Sequence, residues 1–428
     1  MRNVARRLAA GLLGALLASG GAGAAEPVAR LQFVVDGFAL PSNFTTHEGR
    51  VYVLEQYSGR VLVVEDGEVR PRPFLDLGGR IHPDAGPDEG LLGIAFPPSG
   101  EDQVYFAYVG PERDLVVARF RLGDDGRTAV EESAEIVFEG PRERLGAPCG
   151  HLAFDPEGRL YLCFGDDRAD DAFSMTADLD FGREPLETTS WPGKILRLDL
   201  TRPGAEPEIV ALGLHDPWRF ALDPTAGRLI APDVGRYNWE EVNLVDLDAP
   251  AAPNFGWPLV DGLECMGSCP EQDLEPPVFA YTQSHERCGI VGGAVYGGSR
   301  TPDWRGVFVF ADRCSGEVFA LRDLGERPKF RRLAASELMP SALGEGPDGE
   351  IWLTDQADGA LYRLRLPADA GTGWRPAEEV MFEDLSEALR HGLTRSQTAL
   401  QRVVSSRSWK FGRRLGEIYR WLRPFWIF

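Results

Sequence analysis

The feature that most constrains this fold is a phrase that returns along the chain: a turn with glycine, a charged residue, then a short alternating strand. The copies read "HEGRVYVLE" at 47, "DPEGRLYLCF" at 155, "DPTAGRLIAPD" at 223, "DWRGVFVFAD" at 303 and "GPDGEIWLTD" at 346, and "EDQVYFAY" at 101 is a variant without the glycine. Each copy precedes a second strand, such as "GRVLVVEDG", "GKILRLDL" or "GEVFALRD".

Hairpin units at irregular spacings of about 40 to 80 residues are typical of a radial repeat. The sequence therefore predicts an all-β, six-bladed β-propeller over 26–366, with a short C-terminal α-helical extension. The segment "ARLQFVVDGF" at 29–38 is predicted to add a strand to the last blade and close the ring. A β-sandwich is the alternative, but it gives no reason for one turn phrase to recur six times.

The N-terminus has the pattern of a signal peptide. Arg2, Arg6 and Arg7 precede the apolar run "LAAGLLGALLA" and the small residues "GGAGAA". We expect residues 1–25 to be removed and the mature protein to be periplasmic or secreted. The formal charge of the chain is −21, and loss of the three arginines makes it −24. Nucleic acid is not expected as a partner of so acidic a protein.

The C-terminal segment 367–428 changes to a helical pattern. Pro376, followed by Glu378 and Glu379, is typical of a first helical turn. The final stretch "SWKFGRRLGEIYRWLRPFWIF" predicts a basic amphipathic helix, and residues 388–428 hold nine Lys or Arg and one acid. Such a helix can make peripheral contact with an anionic membrane or dock on the acidic propeller, and the sequence favours neither.

All cysteines lie in the exported part: Cys149, Cys163, Cys265, Cys269, Cys288 and Cys314. An even number in an oxidising compartment indicates disulfides rather than a metal site. Cys149 and Cys163 flank a hairpin turn and are predicted to pair. The spacing of Cys265 and Cys269 is not that of a zinc site, so these two are predicted to bridge to Cys288 and Cys314.

Two polar features of the third hairpin invite a chemical interpretation. His151 could move protons, but a hairpin histidine whose ring is partly covered by a neighbouring blade is the favoured interpretation. The acidic run "GDDRADD" at 165–171 could take a cation, although such a run is more often solvated.

Several further phrases occur in one order along the chain: "EGLLGIAF" at 89, "PGKILRLDL" at 192, "GLHDPWRFALDP" at 213, "DVGRYNWEEVN" at 233, "NFGWPLVDG" at 254 and "CGIVGGAVYGG" at 288. Together with "GPDGEIWLTDQADGALYRL" at 346, they resemble the soluble glucose/sorbosone dehydrogenase family over about residues 30–366. The resemblance implies a six-bladed propeller that binds pyrroloquinoline quinone and calcium. The same family includes non-enzymatic relatives such as hedgehog-interacting protein.

The resemblance also shows where this chain departs from the family enzymes. Their catalytic histidine falls at Ala147 in this sequence, so no base is present there. Where the family reads Gly-Leu-Arg-Asn-Pro, this chain has His215 and Asp216. His215 could act as a displaced base oriented by Asp216, or the two residues could simply keep the turn before Pro217.

The cofactor site of the family has partial counterparts. Cys314 and Ser315 occupy the region of the lysine that binds the quinone carboxylates, while Arg313 remains beside them and Gly235 is predicted to contact the cofactor. Glu241 matches a calcium ligand, and the carbonyl of Phe255 is the expected second ligand. The alternative is that the glutamates of this loop only complete a strand edge.

The sequence thus supports an exported quinoprotein that oxidises an aldose-type sugar. A catalytically degenerate propeller that binds a glycan or a protein partner is the alternative from another class. A calcium-dependent lactonase or other hydrolase has no motif in its favour.

Overall fold

The computed structural model describes residues 28–86, 88–140, 148–166, 184–188, 190–202, 206–266, 274–325 and 327–390. Within them the chain forms an all-β, six-bladed propeller followed by one short helix, as the sequence predicts. Each blade is an antiparallel sheet whose strands step outward from a central channel. We number the blades along the chain, beginning with the blade of the second strand.

The strands are distributed over the blades in nearly sequential order. The first strand, β1 (Arg30–Asp36), belongs to blade 6. Blade 1 contains β2 (Pro41–His47), β3 (Arg50–Glu55), β4 (Arg60–Glu65), β5 (Glu68–Val69) and β6 (Leu75–Asp76). Blade 2 contains β7 (Leu91–Ala95), β8 (Gln103–Val109), β9 (Leu115–Leu122) and β10 (Ala129–Gly140). Blade 3 contains β11 (Leu152–Phe154), β12 (Leu160–Phe164), β13 (Lys194–Leu198) and β14 (Glu208–Leu212).

The remaining blades include two departures from a plain four-stranded sheet. Blade 4 contains β15 (Ala221–Asp223), β16 (Arg228–Val234), β17 (Trp239–Asp246) and β20 (Phe279–Thr282), with the small hairpin β18 (Val260–Asp261) and β19 (Glu264–Cys265) inserted before its last strand. Blade 5 contains β21 (Ile290–Val295), β22 (Phe308–Asp312), β23 (Val318–Arg322), β24 (Lys329–Ala334) and β28 (Arg375–Pro376). Blade 6 contains β25 (Pro340–Glu345), β26 (Ile351–Asp355) and β27 (Ala360–Arg365).

The repeated turn phrase lies at one equivalent place in every blade, between the innermost and the second strand. Each of these connections contains a glycine with φ between +63° and +80°, a conformation that a side chain disfavours: Gly49, Gly100, Gly158, Gly227, Gly306 and Gly349. The copy at 101, predicted to lack the glycine, has it at Gly100, just before the phrase. The turn chemistry is therefore the same in all six blades.

Hydrophobic packing occurs between blades rather than within one layer. Six buried clusters each join two neighbouring blades, so both faces of the middle strands are covered. In β8, for example, six of the seven residues are buried. This explains why the strands read as continuous apolar runs such as "VYFAYV" instead of strict alternation.

The ring closes with the first strand, as predicted. β1 pairs antiparallel with β27, from Arg30 opposite Arg365 to Asp36 opposite Ala360. Blade 6 thus takes its outermost strand from the start of the described chain and its three inner strands from the end of the propeller. Unfolding either end exposes the same sheet.

The C-terminal helix α1 (Ala377–Arg390) begins directly after Pro376, with Glu378 and Glu379 in its first turn, as predicted. Ala377, Met381 and Leu385 lie on one helical face and join the hydrophobic cluster between blades 4 and 5. None of the helices in the described ranges is long and apolar enough to cross a membrane. The predicted signal peptide and the basic tail beyond Arg390 lie outside the described residues.

Candidate functional site

Loops that precede the innermost strands and loops that follow the second strands meet at one end of the central channel. Five of their side chains form what we call the channel-mouth cluster: Gln56, His151, Arg219, Arg313 and Gln356. They come from blades 1, 3, 4, 5 and 6, so the cluster exists only in the assembled ring.

Arg219 crosses the channel from blade 4. Its Nε donates a hydrogen bond to the Ser341 carbonyl at 3.1 Å, and its Nη2 donates to the Ser42 carbonyl at 2.5 Å. The side chain is 3% exposed, and its Nη1 has no hydrogen-bond partner among the described residues. Burial, and then the charge of Arg313, lower the pKa of Arg219 to about 9. One guanidinium thus ties three blades together while its charge is balanced only by carbonyl dipoles.

His151 lies beside Arg219 and packs on blade 4. Its ring meets Phe220 edge-on, with the ring centroids 4.8 Å apart, and its Nδ1 is enclosed without a partner in the described part of the chain. Burial, and then the charge of Arg219, lower the pKa of His151 to about 3, while the backbone of Phe220 opposes the shift. The imidazole is therefore neutral near pH 7 and a weak base. This agrees with the favoured interpretation of a histidine covered by a neighbouring blade.

The other members of the cluster form a hydrogen-bonded relay. Arg313 donates to Gln356 Oε1, Gln356 Nε2 donates to Gln56 Oε1 at 3.1 Å, and Gln56 Nε2 donates to the Glu89 carbonyl at 2.9 Å. Burial lowers the pKa of Arg313, and the charge of nearby Asp88 opposes this. Neither Arg219 nor Arg313 forms an ion pair with a carboxylate of the described residues. The channel-mouth cluster itself therefore contains two guanidinium groups and no carboxylate, while Asp88 lies near Arg313.

His215 and Asp216 lie on the blade 4 side of this region. The His215 imidazole is 7% exposed; its Nδ1 lies 2.6 Å from the Val234 carbonyl, and its ring meets Trp257 edge-on at 4.5 Å. Because a carbonyl only accepts, Nδ1 carries the proton, and Nε2 holds the lone pair of the neutral ring. The hydrogen bond that orients the ring thus involves a backbone carbonyl. The backbone N–H groups of His215 and Asp216 both donate to Asp233.

A second set of buried charges, which we call the blade 4 acidic cluster, comprises Asp233, Glu241, Asp261 and Glu264. All four residues are buried, and the most exposed of them, Glu241, is 7% exposed. Burial, and then the charge of Glu241, raise the pKa of Asp233 well above its ordinary value and that of Asp261 to about 7. Neither aspartate forms an ion pair within the described residues, and Glu264 Oε1 has no hydrogen-bond partner there. Burial and mutual repulsion therefore disfavour the ionised forms of Asp233 and Asp261.

The predicted calcium ligand Glu241 belongs to this cluster, and its Oε1 accepts a hydrogen bond from Asn243 at 2.8 Å. Phe255, the predicted source of a carbonyl ligand, is 4% exposed and lies in the adjacent core. Hard carboxylate oxygens suit calcium. Across the part of the chain that the structure describes, however, no three His, Cys, Asp or Glu side chains converge as a metal site would require. Calcium therefore remains a prediction.

Gly235 lies where a side chain could not fit. A Cβ added there would be 2.0 Å from the Trp239 carbonyl oxygen and 2.5 Å from Asp261 Oδ1. Its own carbonyl accepts a hydrogen bond from Gln283 Nε2 at 3.1 Å. Close packing within blade 4 accounts for the glycine, and its predicted contact with a cofactor stays a prediction.

The disulfides confirm one predicted pairing and correct another. Cys149 pairs with Cys163, as expected. Cys288 pairs with Cys314, with 5.5 Å between their Cα atoms, so the prediction that these two bridge to Cys265 and Cys269 is wrong. The reason is antiparallel pairing: Cys288 precedes β21 and Cys314 follows β22, which places them side by side. Cys265 is also disulfide-bonded, and its partner lies outside the described residues.

Other predicted positions also lie outside the described residues: Ala147, Cys269 and positions 167–171 of the acidic run. Conversely, sequence reasoning missed Arg219, the two glutamines, Asp233 and Asp261. Arg219 could have been found, because an arginine inside the apolar run "PWRFAL" at the start of an innermost strand requires buried partners. The glutamines had no such signal, since each follows a strand as an ordinary loop residue would.

Comparison with known proteins supplies the relationship. The profile of the family described as Glucose / Sorbosone dehydrogenase matches residues 39–363. Hedgehog-interacting protein of Mus musculus is 23% identical over 85% of this chain and 57% of its own length, so the chain spans little more than half of that relative. Aldose sugar dehydrogenase YliI of Escherichia coli is 25% identical over 64% of this chain and 76% of its own length.

A solved structure has the same fold. The PQQ-bound form of an aldose sugar dehydrogenase from Streptomyces coelicolor superposes with a TM-score of 0.59 at 20% identity, covering 79% of this chain and 99% of the other. The six-bladed ring, its closure by the first strand and the profile match over most of the propeller agree with one another. This chain belongs to the glucose/sorbosone dehydrogenase family.

Proposed function

We propose that this chain is an exported quinoprotein that binds pyrroloquinoline quinone at the channel-mouth cluster and oxidises an aldose-type sugar. The observation that carries the proposal is that Arg219 and Arg313, two guanidinium groups of the channel-mouth cluster, form no ion pair with a carboxylate of the described residues. A cofactor with several carboxylates would supply the missing negative charge. The two disulfides fit an oxidising compartment, which supports export.

The residues present fit the quinone in part. Arg313 is partly buried and oriented by its relay with Gln356, so its guanidinium could bind a carboxylate without a large loss of side-chain entropy. The region where family enzymes carry lysine is closed by the disulfide of Cys314, so the arginines would hold the carboxylates alone. When bound, the quinone would supply the acceptor for the hydride that leaves the sugar.

His215 is the residue we propose for proton transfer. Its Nδ1–H is fixed on the Val234 carbonyl, so Nε2 could take the proton of the anomeric hydroxyl. His215 is only 7% exposed, and the Trp257 ring packs against its imidazole. The sugar would therefore reach Nε2 only if the Trp257 side chain moved aside. Calcium, held by Glu241 and neighbouring oxygens, would neutralise the blade 4 acidic cluster beside this histidine.

Calorimetric titration and dye reduction test the proposal together. The mature protein is titrated with pyrroloquinoline quinone in calcium, then assayed with a panel of aldoses. We expect micromolar binding that Arg313→Gln weakens at least tenfold, because a charge-assisted contact is lost. The matched control is Arg72→Gln on the exposed surface of blade 1, which should bind as the unchanged protein does. Absence of quinone binding would exclude the enzyme.

A catalytically degenerate propeller is the second candidate, and a specific observation favours it. The Cys288–Cys314 disulfide lies next to Arg313 in place of a cation, and hedgehog-interacting protein is among the relatives. In that case the channel mouth would bind a glycan or a protein without turnover. Exposed Tyr57, beside Arg313, would then supply a ring for sugar stacking. Oligosaccharide binding that needs no quinone and is lost in Tyr57→Ala would support this candidate.

A further inference from the structure

A groove between α1 and blade 5 is separate from the channel-mouth cluster. It has a volume of about 490 Å³. Its floor is aromatic: Phe279 and Phe330 stack with their ring centroids 4.7 Å apart, and Phe319 packs against Phe330 at 5.4 Å. One wall is the polar face of α1, and the other consists of loop residues of blades 4 and 5.

The groove is acidic. Its lining holds five carboxylates but only two arginines, Arg287 and Arg332. Both arginines pair with Glu317, at 2.7 Å and 2.9 Å, and Arg287 also lies 3.6 Å from Asp384. Glu383 pairs with Arg375 at 2.7 Å, and Glu387 of α1 pairs with His285 at 3.2 Å. Glu286, on the rim, has no hydrogen bond or ion pair with any residue that the structure describes. Phe279 and Phe319 are buried, so Phe330 is the ring that the groove partly exposes. The lining still holds more carboxylates than guanidinium groups, and it suits a basic, aromatic segment.

We propose that the basic C-terminal segment of the same chain, residues 391–428, folds back and places some of its Arg, Lys and aromatic side chains in this groove. Charge complementarity is the first argument, because residues 391–428 carry eight Lys or Arg and one acid. Position is the second: α1 ends at Arg390, three residues after Glu387 on the groove rim. A segment tethered at the rim has a high effective concentration there.

The size of the groove limits the form of this contact. About 490 Å³ accommodates a few large side chains and not a whole helix. Only a few side chains of the segment can therefore occupy the groove. An anionic membrane would compete for the same basic residues, so the groove acts as an intramolecular alternative to membrane contact.

Limited proteolysis of the full mature chain tests the contact. In the groove variant, Glu286→Gln with Glu387→Gln, two rim charges are neutralised without creating new trypsin sites. The matched control is Glu68→Gln with Glu132→Gln, which removes two exposed glutamates from blades 1 and 2. At low salt we expect trypsin to cut after the tail arginines about fivefold faster in the groove variant, and at the unchanged rate in the control.

Two outcomes would overturn the proposal. The first is equal cleavage rates in all three proteins, with circular dichroism and thermal unfolding showing that each is folded. The second comes from flotation with phosphatidylcholine vesicles that contain phosphatidylglycerol. If the groove holds the segment, the groove variant floats more than the unchanged chain. Equal flotation of the two would show that the segment is not held by the groove.

Discussion

The channel-mouth cluster and the blade 4 acidic cluster bury charges of opposite sign within one propeller. At the mouth, Arg219 and Arg313 donate to backbone carbonyls and a glutamine amide. Burial lowers the pKa of both, and the charge of Arg313 lowers that of Arg219 further. In blade 4, Asp233 and Asp261 accept from backbone N–H groups, and repulsion and burial raise both pKa values. Backbone dipoles satisfy part of the hydrogen bonding in each region, while Arg219 Nη1 and Glu264 Oε1 have no partner among the described residues.

The two regions would be stabilised by counter-ions of opposite sign. The mouth would gain from an anion and the acidic cluster from a cation, as the proposed quinone and calcium would provide. The regions also differ in structural role: Arg219 joins three blades, whereas the acidic cluster lies within blade 4 and its inserted hairpin. Loss of charge should therefore destabilise the ring at the mouth and relieve repulsion in the acidic cluster.

The largest expected effect comes from Arg219→Met, which keeps much of the apolar stem and removes the guanidinium. Two charge-assisted hydrogen bonds across the channel are lost, and relief of the buried charge offsets part of that loss. We expect the free energy of unfolding to fall by about 3 kcal/mol. Chemical denaturation measures it, with exposed Arg72→Met as the control expected to stay within about 0.5 kcal/mol. If Arg219→Met lowered the free energy of unfolding by less than about 0.5 kcal/mol, packing alone would hold the three blades together.

Calcium should have the next largest effect on the free energy of unfolding, and it should act through the blade 4 acidic cluster. At about a hundred times its dissociation constant, a ligand that binds only the folded state raises the free energy of unfolding by about 2.7 kcal/mol. We expect this gain in the unchanged protein and its loss with a chelator. Glu241→Gln should abolish the response, whereas Glu68→Gln, an exposed glutamate of blade 1, should retain it. Thermal unfolding with and without calcium is the measurement. Equal stabilisation of the two variants by calcium would show that Glu241 is not a ligand.

The fold was largely predictable from the sequence, because turn glycines and apolar runs are local signals that a propeller repeats. The six connections, the closing strand and the start of α1 all follow from such signals. The channel-mouth cluster was not predictable in the same way. Its members are up to 300 residues apart, as in the Gln56–Gln356 pair, and only ring closure brings them together.

The predicted pairing of the later four cysteines was wrong for a related reason. The spacing of Cys265 and Cys269 argued against a zinc site but did not identify their partners, and the register of β21 and β22 decides that Cys288 meets Cys314. Arg313 was found through family resemblance, and its relay partners were not, because a glutamine after a strand has no distinctive pattern. These glutamines are identified by their burial and by their contacts between blades, and both are properties of the folded ring.

The pH dependence of stability should reveal His151 at the mouth. Its pKa is about 3 in the folded protein and near 6.5 when unfolded, so unfolding takes up a proton between these values. Stability from the neutral imidazole is present above pH 6.5 and is lost as pH falls. We expect the free energy of unfolding of the unchanged protein, relative to that of His151→Gln, to fall by about 2 kcal/mol as the pH is lowered from 6.5 to 4.5. A constant difference, measured by urea denaturation, would contradict a neutral buried ring.

The smallest effect should come from the glutamine relay, and a double-mutant cycle isolates it. Gln356→Ala removes the acceptor of Arg313 and the donor to Gln56, at an expected cost of about 1 kcal/mol in the free energy of unfolding. Gln56→Ala also loses its contact with the Glu89 carbonyl. If the relay acts as a unit, the double variant should cost less than the two single changes combined, with a coupling of at least about 0.5 kcal/mol. Additive costs would mean that Arg313 is oriented independently of blade 1, and the positive charge of the mouth would then depend on blades 4 and 5 alone.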